Sequence, residues 1–211
     1  MARHLPAPAE VPRPWRREPR EAVVGRMDEA LATRDGAVAA ACIHELWMRG
    51  EMGLNIERAL ERLWAVAAAA VPEWLPTRHV EWLPRAYEVA ARCAATRRGR
   101  SSVYLVLLDF SDAAGDPYGL YVGATTVDPV LRFEQHMAGI RSAGSVRRRG
   151  LELLIGPALH LRGISRADAA RIEEEFAEAL RAAGIRVRGG HGPPRGLPQW
   201  RPARACSSTS Q

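Results

Sequence analysis

One continuous run of apolar and β-forming residues, Val103–Asp109, constrains the fold of this chain more than any other segment. Such a run predicts a strand that is buried on both faces. Turn-forming residues follow at 111–117, and Tyr118–Thr125 has the composition of a second strand. The two strands together predict a β-hairpin, with which a domain containing both helices and a sheet begins.

A helix is predicted directly after the hairpin. Asp128 suits the N-cap position, and Pro129 suits the first helical position. Arg132 and His136 are four residues apart, so they share one face of this helix. We expect that face to lie away from the buried side of the helix. The apolar residues expected to form the buried side are Val130, Phe133, Met137 and Ile140.

The rest of this half predicts one more strand and one more helix. Leu151–Leu161 is the expected third strand. Ser165 and Asp168 form a weak capping box at the start of the second helix, and Gly184 ends it. Ile185–Arg188 is a candidate for a short final strand. The fold class expected here is α+β, with a three-stranded, mainly antiparallel sheet flanked by helices.

The N-terminal half has helical periodicity and shows no chemistry. Apolar residues recur at helical spacing from Arg20 to about Thr96, which predicts a bundle of about four helices. Its tryptophans are expected to fill the core. Proline and arginine dominate the first residues, and glycine, proline, arginine and serine dominate the last. The predicted organisation is a disordered leader at 1–19, a helical domain at 20–97, a second domain at 102–190 and a disordered tail at 191–211.

Charge alone does not indicate a nucleic-acid partner. The formal net charge is +6, and every positive side chain is an arginine. Residues 21–101 and 102–192 each hold as many acidic residues as arginines, so the excess lies in the two tails. No apolar run approaches the roughly 18 residues that a membrane span requires. Three isolated cysteines without metal-ligand spacing fit a reducing compartment. We therefore expect a cytoplasmic protein with no membrane contact.

Five residues of the second half carry side chains suited to phosphodiester chemistry. Tyr104 and Tyr121 lie on neighbouring predicted strands, so they can face one side of the sheet. Arg132 and His136 share a helical face, and Glu173 lies on the second helix. Cleavage of a phosphodiester needs an activated water, a cation near the phosphoryl oxygens and help for the leaving oxygen. A metal-binding carboxylate with an arginine meets part of this need, and a tyrosine or histidine supplies the proton acceptor.

The same residues resemble the GIY-YIG nuclease family. Ser102-Val103-Tyr104 resembles its first motif, and Tyr121-Val122-Gly123 resembles its second. Arg132 and His136 then follow on one helix and Glu173 on a later one, in the family's order. The resemblance covers residues 102–190, less than half of the chain. Ser102 stands where the family usually has glycine, and the loop between the motif strands is longer than in compact members.

The resemblance implies an active site and a cofactor. Glu173 would coordinate Mg²⁺, or Mn²⁺ in its place, and Arg132 would brace the scissile phosphate. Tyr104 would orient or deprotonate the water, Tyr121 would position the phosphate or a bound water, and His136 would assist proton transfer. Glu174 and Glu175 are alternatives to Glu173. The family's spacing of Ala, aliphatic-Glu and a further apolar residue favours Glu173, because Ala169, Ile172 and Phe176 fit that frame.

Two functions remain open from the sequence. The first is a metal-dependent endonuclease acting on nucleic acid, with DNA as the expected substrate and the helical half as a candidate surface for a protein partner. The alternative is a catalytically inactive nuclease-like fold that binds nucleic acid or protein. The run Arg147-Arg148-Arg149 is the best local candidate for gripping a nucleic-acid backbone, and a solvated loop is an equal alternative. His160 and His191 are assigned a helix-end or surface role.

Overall fold

The predicted hairpin forms the centre of the structure. A computed structural model describes residues 10–95 and 99–189. Strand β1 (Ser102–Asp109) is buried along its length except at Asp109, as expected for a strand covered on both faces. It pairs antiparallel with β2 (Tyr118–Thr125), and the register places Tyr104 opposite Gly123 and Val106 opposite Tyr121. The prediction of a hairpin is confirmed.

The sheet has four strands rather than three, and it is mainly antiparallel, with two antiparallel pairings and one parallel pairing. Its order is β3-β1-β2-β4, with β3 (Gly150–Leu154) antiparallel to β1 and β4 (Val187–Gly189) parallel to β2. The expected count was wrong because the segment after Gly184 adds to the open edge of β2. Gly184 has φ +81° and ends the preceding helix, after which the backbone N–H of Leu120 donates to the carbonyl of Arg186.

The third strand ends much earlier than the sequence suggested. It was expected to reach Leu161, but β3 stops at Leu154 and the chain turns into a short helix, α7 (Ile155–Ala158), followed by a 3₁₀ turn (Leu159–Leu161). Pro157 lies in the middle of this segment. Because proline has no N–H to donate to a neighbouring strand, a continued ladder is disfavoured there.

Helices cover both faces of the sheet. Tyr104, Val106 and Leu108 point to one face, where Phe133 and Val146 pack against them. The alternate residues of β1 point to the other face, where the long helix near the C-terminus covers them together with the N-terminal helices. The remaining helices are α1 (Arg20–Ala32), α2 (Gly36–Met48), α3 (Gly53–Ala67), α4 (Leu83–Ala90), α5 (Pro129–Met137), α6 (Gly144–Arg149) and α8 (Arg166–Ala182), with a 3₁₀ turn at Ala68–Ala70.

The apolar core runs without a break from the N-terminal helices to the sheet. One cluster of buried residues includes Trp47 and Leu83 from the helices together with Leu105 and Phe176 from the second half. Helix α4 makes the main connection, because it packs on both α7 and α8. Trp47 and Trp82 are buried in this core, as predicted. No helix among residues 10–95 and 99–189 is long and apolar enough to cross a membrane.

Part of the leader is ordered, contrary to expectation. Arg13 donates two hydrogen bonds to the buried carboxylate of Glu45, at 2.8 and 3.0 Å. Arg49 donates to the carbonyls of Trp15 and Glu18. These contacts attach residues 10–19 to α2, so proline content alone did not make this segment disordered. Residues 1–9, 96–98 and 190–211 lie outside the described residues, and with them the start of the predicted leader and the predicted tail with His191 and Cys206.

Candidate active site

Two tyrosines from adjacent strands share one face of the sheet above a glycine. Tyr104 lies opposite Gly123, and Tyr121 is two residues before that glycine, so both rings project to the same side. Their ring centroids are 6.1 Å apart. A Cβ atom at Gly123 would lie 2.7 Å from both the Tyr104 hydroxyl and the Tyr121 ring. Glycine at this position therefore allows the two rings to lie over the strand.

Helix α5 buries its histidine and exposes most of its apolar residues. The side chain of Asp128 accepts a hydrogen bond from the backbone N–H of Val130 and fixes the start of the helix. His136 is only 1% exposed, whereas Met137 is 45% exposed. Ile140, which was expected on the same helix, lies beyond its end at Met137 and is 56% exposed. The expectation that the histidine face points away from the core was wrong. Burial is tolerated because both ring nitrogens of His136 have hydrogen-bond partners.

The hydrogen bonds of His136 determine which nitrogen carries the proton. The backbone N–H of Ala143 donates to Nδ1 at 2.9 Å, so Nδ1 is the unprotonated nitrogen of the neutral ring. Nε2 therefore carries the proton and donates to the Tyr104 hydroxyl oxygen at 2.8 Å. Burial lowers the pKa of His136, and the neighbouring Arg132 guanidinium lowers it further, so the ring stays neutral near pH 7.

The two tyrosines are neutral phenols in this environment. Burial is the main cause that raises the pKa of Tyr104, and Tyr121 adds to the effect. Burial and the Glu173 carboxylate raise the pKa of Tyr121, while a hydrogen bond from Tyr104 opposes this. The Tyr104 oxygen accepts from His136, so its own proton is available to Tyr121 or to a ligand. The resemblance left two roles open for Tyr104, which were to orient a water or to deprotonate it. A phenol with a raised pKa keeps its proton, which favours the orienting role.

Arg132 is held by the turn that follows its own helix. Its guanidinium donates to the carbonyl of Arg141 at 2.9 Å, to that of Ile140 at 3.4 Å and to the side chain of Gln135 at 3.2 Å. Arg141 has φ +45°, a conformation that turns the chain back under the arginine. These carbonyl oxygens occupy one side of the guanidinium and hold the Arg132 side chain in place.

Arg132 and Glu173 line one open cleft of about 700 Å³. The cleft lies at the end of β2, beyond the residues that pair with β4, and α5 and α8 contribute its other walls. Glu173 is half-buried at this surface, whereas Glu174 and Glu175 are exposed and line a different depression on α8. The structure therefore brings Glu173, and not its two neighbours, near Tyr121 and Arg132. The cleft is lined by Ser101, Ala124, Thr125, Thr126, Val127, Arg132, Gln135, Ile140, Arg141, Arg166, Ala169, Ala170 and Glu173.

The sequence interpretation missed two arginines of the cleft. Arg141 follows α5 in the turn, and Arg166 is the first residue of α8. The sequence features that indicate these two residues concern only their own turns. Arg166 directly follows the capping residue Ser165, so it belongs to the exposed first turn, and Gly139 before Arg141 marks the turn. Neither signal says that the two turns meet, because that depends on how α5 and α8 pack on the sheet.

Other basic candidates have structural roles. Arg149 pairs with Asp112 at 2.6 Å, donates to the carbonyl of Asp109 and stacks on Phe110, so it anchors the hairpin loop. It does not line the cleft. His160 bonds through Nε2 to the carbonyl of Ala90 at the end of α4, at 3.0 Å. This contact confirms the helix-end role that was assigned to His160.

The cleft suits a hydrated Mg²⁺ ion but not a metal cage. Within residues 10–95 and 99–189 no group of three or more His, Cys, Asp or Glu side chains could enclose a metal. Glu173 is the carboxylate among the described residues of the cleft wall. Mg²⁺ is commonly held by one or two carboxylates together with waters and substrate phosphate. The donor set and the open volume therefore fit an ion that arrives with, or is completed by, a phosphate ligand.

Comparison of the chain with protein-family models, with curated proteins and with solved structures gave no match. The interpretation of this site therefore rests on its own residues and geometry.

Proposed function

We propose that this protein is a metal-dependent endonuclease that hydrolyses nucleic-acid phosphodiester bonds, with an active site of the GIY-YIG type. One observation carries the proposal. Tyr104, Tyr121 and His136 pack against one another on one face of the sheet. Arg132 and Glu173 line one cleft, and both lie close enough to Tyr121 to affect the pKa of its phenol.

Arg132 is the residue proposed to bind the scissile phosphate. Its guanidinium uses the turn carbonyls as a support, and its remaining N–H groups can donate to phosphoryl oxygens. A fixed guanidinium stabilises negative charge that develops in the transition state without reorganising. Glu173 would hold the metal ion beside it. When bound, the ion lowers the pKa of a coordinated water and offsets phosphoryl charge.

His136 is proposed as a positioning residue that acts through Tyr104. It is buried and hydrogen-bonded to the Tyr104 hydroxyl, and it does not line the cleft. Neither of its nitrogens is free to accept a proton in the tautomer that these hydrogen bonds imply, because Ala143 donates to Nδ1 and Nε2 is itself the donor. Tyr104 and Tyr121 would then orient the water and the phosphate through their hydroxyl groups. DNA is the proposed substrate class, and magnesium or manganese is the proposed ion.

Cleavage assays with matched variants test the proposal. Purified protein with Mg²⁺ or Mn²⁺ should nick plasmid DNA or cut branched DNA. Arg132→Ala and Glu173→Ala should each lower the rate by at least about a hundredfold, the usual effect of removing a group that stabilises transition-state charge. Glu174→Ala is the control, because Glu174 lies on the same helix outside the cleft. If both site variants cut like the unmodified protein, the assignment of the site is wrong.

A binding module without turnover is the second candidate. The single carboxylate of the described cleft wall favours it, since it leaves a bound ion dependent on waters and substrate and is too few for a two-metal site. This candidate predicts binding of nucleic acid, no cleavage, and no effect of Mg²⁺ on the melting temperature. A rise in melting temperature with Mg²⁺ that Glu173→Gln removes would count against it, because an ion that binds only the folded protein must stabilise it.

A further inference from the structure

The cleft concentrates positive charge in a half of the protein that is neutral overall. Arg141 and Arg166 line it together with Arg132, and Glu173 is the acidic residue of its described wall. Three guanidinium groups face one carboxylate there, although residues 102–192 carry equal numbers of arginine and acidic residues. A concave surface lined by one sign of charge focuses the field on ligands of the opposite sign.

Arg141 and Arg166 are available for a ligand. Neither side chain forms an ion pair or a hydrogen bond with another residue in the part of the chain that the structure describes, and both are exposed. Other arginines nearby are engaged. Arg149 binds Asp112, and Arg171 binds both Asp168 and Glu175. The guanidinium of Arg132 donates to the backbone carbonyl of Arg141, so the point from which the Arg141 side chain projects is held beside Arg132.

Part of the cleft wall is apolar, which phosphate groups do not explain. Val127 and Ile140 line the cleft with 37% and 56% of their surface exposed. Val130 and Leu131 of α5 are also exposed, but they do not line the cleft. In a duplex the bases are stacked inside and the backbone faces the protein. In an unpaired strand the base faces are accessible, and an exposed apolar side chain that covers one removes apolar surface of both from water.

We propose that the cleft binds an unpaired nucleic-acid strand, with Arg141 and Arg166 on phosphates that flank the one at Arg132 and with Val127 and Ile140 against a base. The inference rests on the proposed function, because it assigns the substrate class of the same site. It predicts that a single strand, or the unpaired part of a branched or frayed substrate, binds more tightly than an intact duplex.

Binding measured without divalent metal tests the two arginines separately from catalysis. The probe is a fluorescein-labelled oligothymidylate, compared with the same oligonucleotide in a duplex, and the readout is fluorescence anisotropy in EDTA at several salt concentrations. The double variant Arg141→Ala/Arg166→Ala should bind the single strand at least about tenfold more weakly. Its slope of log affinity against log salt should be less steep by about 1.4, since each phosphate contact on a single strand contributes about 0.7.

The control for charge is Arg58→Ala/Arg92→Ala, which removes two exposed arginines of the helical half that do not line the cleft. This variant should keep the single-strand affinity and the slope of log affinity against log salt of the unmodified protein. The control for the apolar wall is Leu131→Asn, matched to Ile140→Asn. Ile140→Asn should weaken single-strand binding by about five- to tenfold and leave duplex binding unchanged, whereas Leu131→Asn should change neither. Far-ultraviolet circular dichroism verifies that each variant is folded.

The outcomes separate this inference from the proposed function. Equal affinity for single strand and duplex, or an unchanged salt slope in Arg141→Ala/Arg166→Ala, would overturn the inference even if the protein cuts DNA. Preferential single-strand binding that depends on both arginines and Ile140 would support it even in a protein that cuts nothing. In that second case the cleavage assay alone would decide against an endonuclease.

Discussion

Gly123 has a steric reason to be glycine. A methyl group there would lie 2.7 Å from the Tyr104 hydroxyl, which His136 holds in place, and 2.7 Å from the Tyr121 ring. We expect Gly123→Ala to lower the free energy of unfolding by about 1–3 kcal/mol, the usual effect of overpacking, and to reduce cleavage. Urea denaturation measures the first effect and a plasmid-nicking assay the second.

Gly25→Ala is the matched control for this substitution. Gly25 lies within α1, and nothing would lie within 4 Å of a Cβ atom there. Alanine is the better helix former by about 1 kcal/mol, so this variant should be more stable than the unmodified protein and equally active. Equal stability changes in the two glycine variants would show that the tyrosine pair does not need the space above Gly123.

His44 predicts a dependence of stability on pH. It is 1% exposed, its ring meets Trp74 and Tyr87 edge-on, and neither ring nitrogen has a hydrogen-bond partner among the described residues. Burial, with a smaller effect of Arg13, lowers the pKa of His44 from 6.5 to about 4. The unfolded chain therefore binds a proton more readily than the folded one between these values, and stability must fall as pH decreases from 6.5 to about 4.

Replacement of His44 by leucine isolates this effect. The difference in unfolding free energy between pH 7 and pH 4 should be smaller in His44→Leu than in the unmodified protein, by on the order of 3 kcal/mol. Other buried histidines titrate in both proteins, so only the difference between the two pH profiles is assigned to His44. Superimposable profiles from urea denaturation would contradict the assignment.

At the scale of elements, α5 shows how a cap can matter for chemistry. Asp128 accepts from the backbone N–H of Val130 at 2.9 Å, and the helix that it starts carries Arg132 and His136. Asp35 caps α2 in the same way at 3.0 Å, far along the chain from the cleft. Asp128→Ala and Asp35→Ala should each cost about 1 kcal/mol in thermal or urea unfolding.

Only the first of these two variants should affect function. Loss of the Asp128 cap frays the turn from which Arg132 projects, so cleavage and single-strand binding should both weaken. Asp35→Ala should leave both unchanged at a temperature where the protein is folded. If the two variants lose activity equally, global stability and not the position of α5 limits the reaction.

The same helix shows what the sequence could and could not predict. Capping residues and residue spacing correctly predicted the helix, its start at Asp128 and the shared face of Arg132 and His136. Apolar periodicity predicted the wrong buried face. Periodicity assumes that apolar residues face the core, but a histidine whose two nitrogens are bonded to Tyr104 and Ala143 can be buried at little cost. Those partners come from other elements, so the local pattern does not contain them.

The composition of the cleft is even harder to predict from local sequence patterns. Tyr104, Tyr121 and Glu173 could be chosen as candidates from their order along the chain. Arg141 and Arg166 could not, because their proximity depends on the packing of α5 and α8 against the end of β2. The fourth strand is a similar case. The sequence offered Ile185–Arg188 as a candidate strand, but it did not indicate that this segment pairs parallel with the open edge of β2.

At the scale of the whole molecule, the N-terminal helices and the sheet are joined by specific contacts as well as by a common core. The carboxylate of Glu152 in β3 accepts hydrogen bonds from the backbone N–H and the hydroxyl of Thr77. His160 binds the carbonyl of Ala90, and Arg85 binds that of Ala183. Residues far apart in sequence thus stabilise one another. The helices therefore form part of the support on which the cleft is built.

This arrangement predicts a single unfolding transition and a shared response to one substitution. Gly156 in α7 faces Tyr87 of α4, and a methyl group there would overlap the Tyr87 hydroxyl and lie 3.1 Å from the carbonyl oxygen of Trp74. Gly156→Ala should therefore cost about 1–3 kcal/mol. Tryptophans of the described residues all lie before residue 83, so their fluorescence follows the helical half, while amide hydrogen exchange in β1 follows the sheet.

In Gly156→Ala the melting temperature followed by tryptophan fluorescence should fall by about 2–4 °C per kcal/mol for a protein of this size. The amides of β1 should exchange faster at the same time. The reason is that the substitution separates α4 from α7, and neither half can then keep its buried face covered. Two transitions, or a shift confined to tryptophan fluorescence, would mean that the sheet and its cleft hold together without the helices. A single shifted transition would make the helical half a structural requirement of the cleft, whatever further partners it binds.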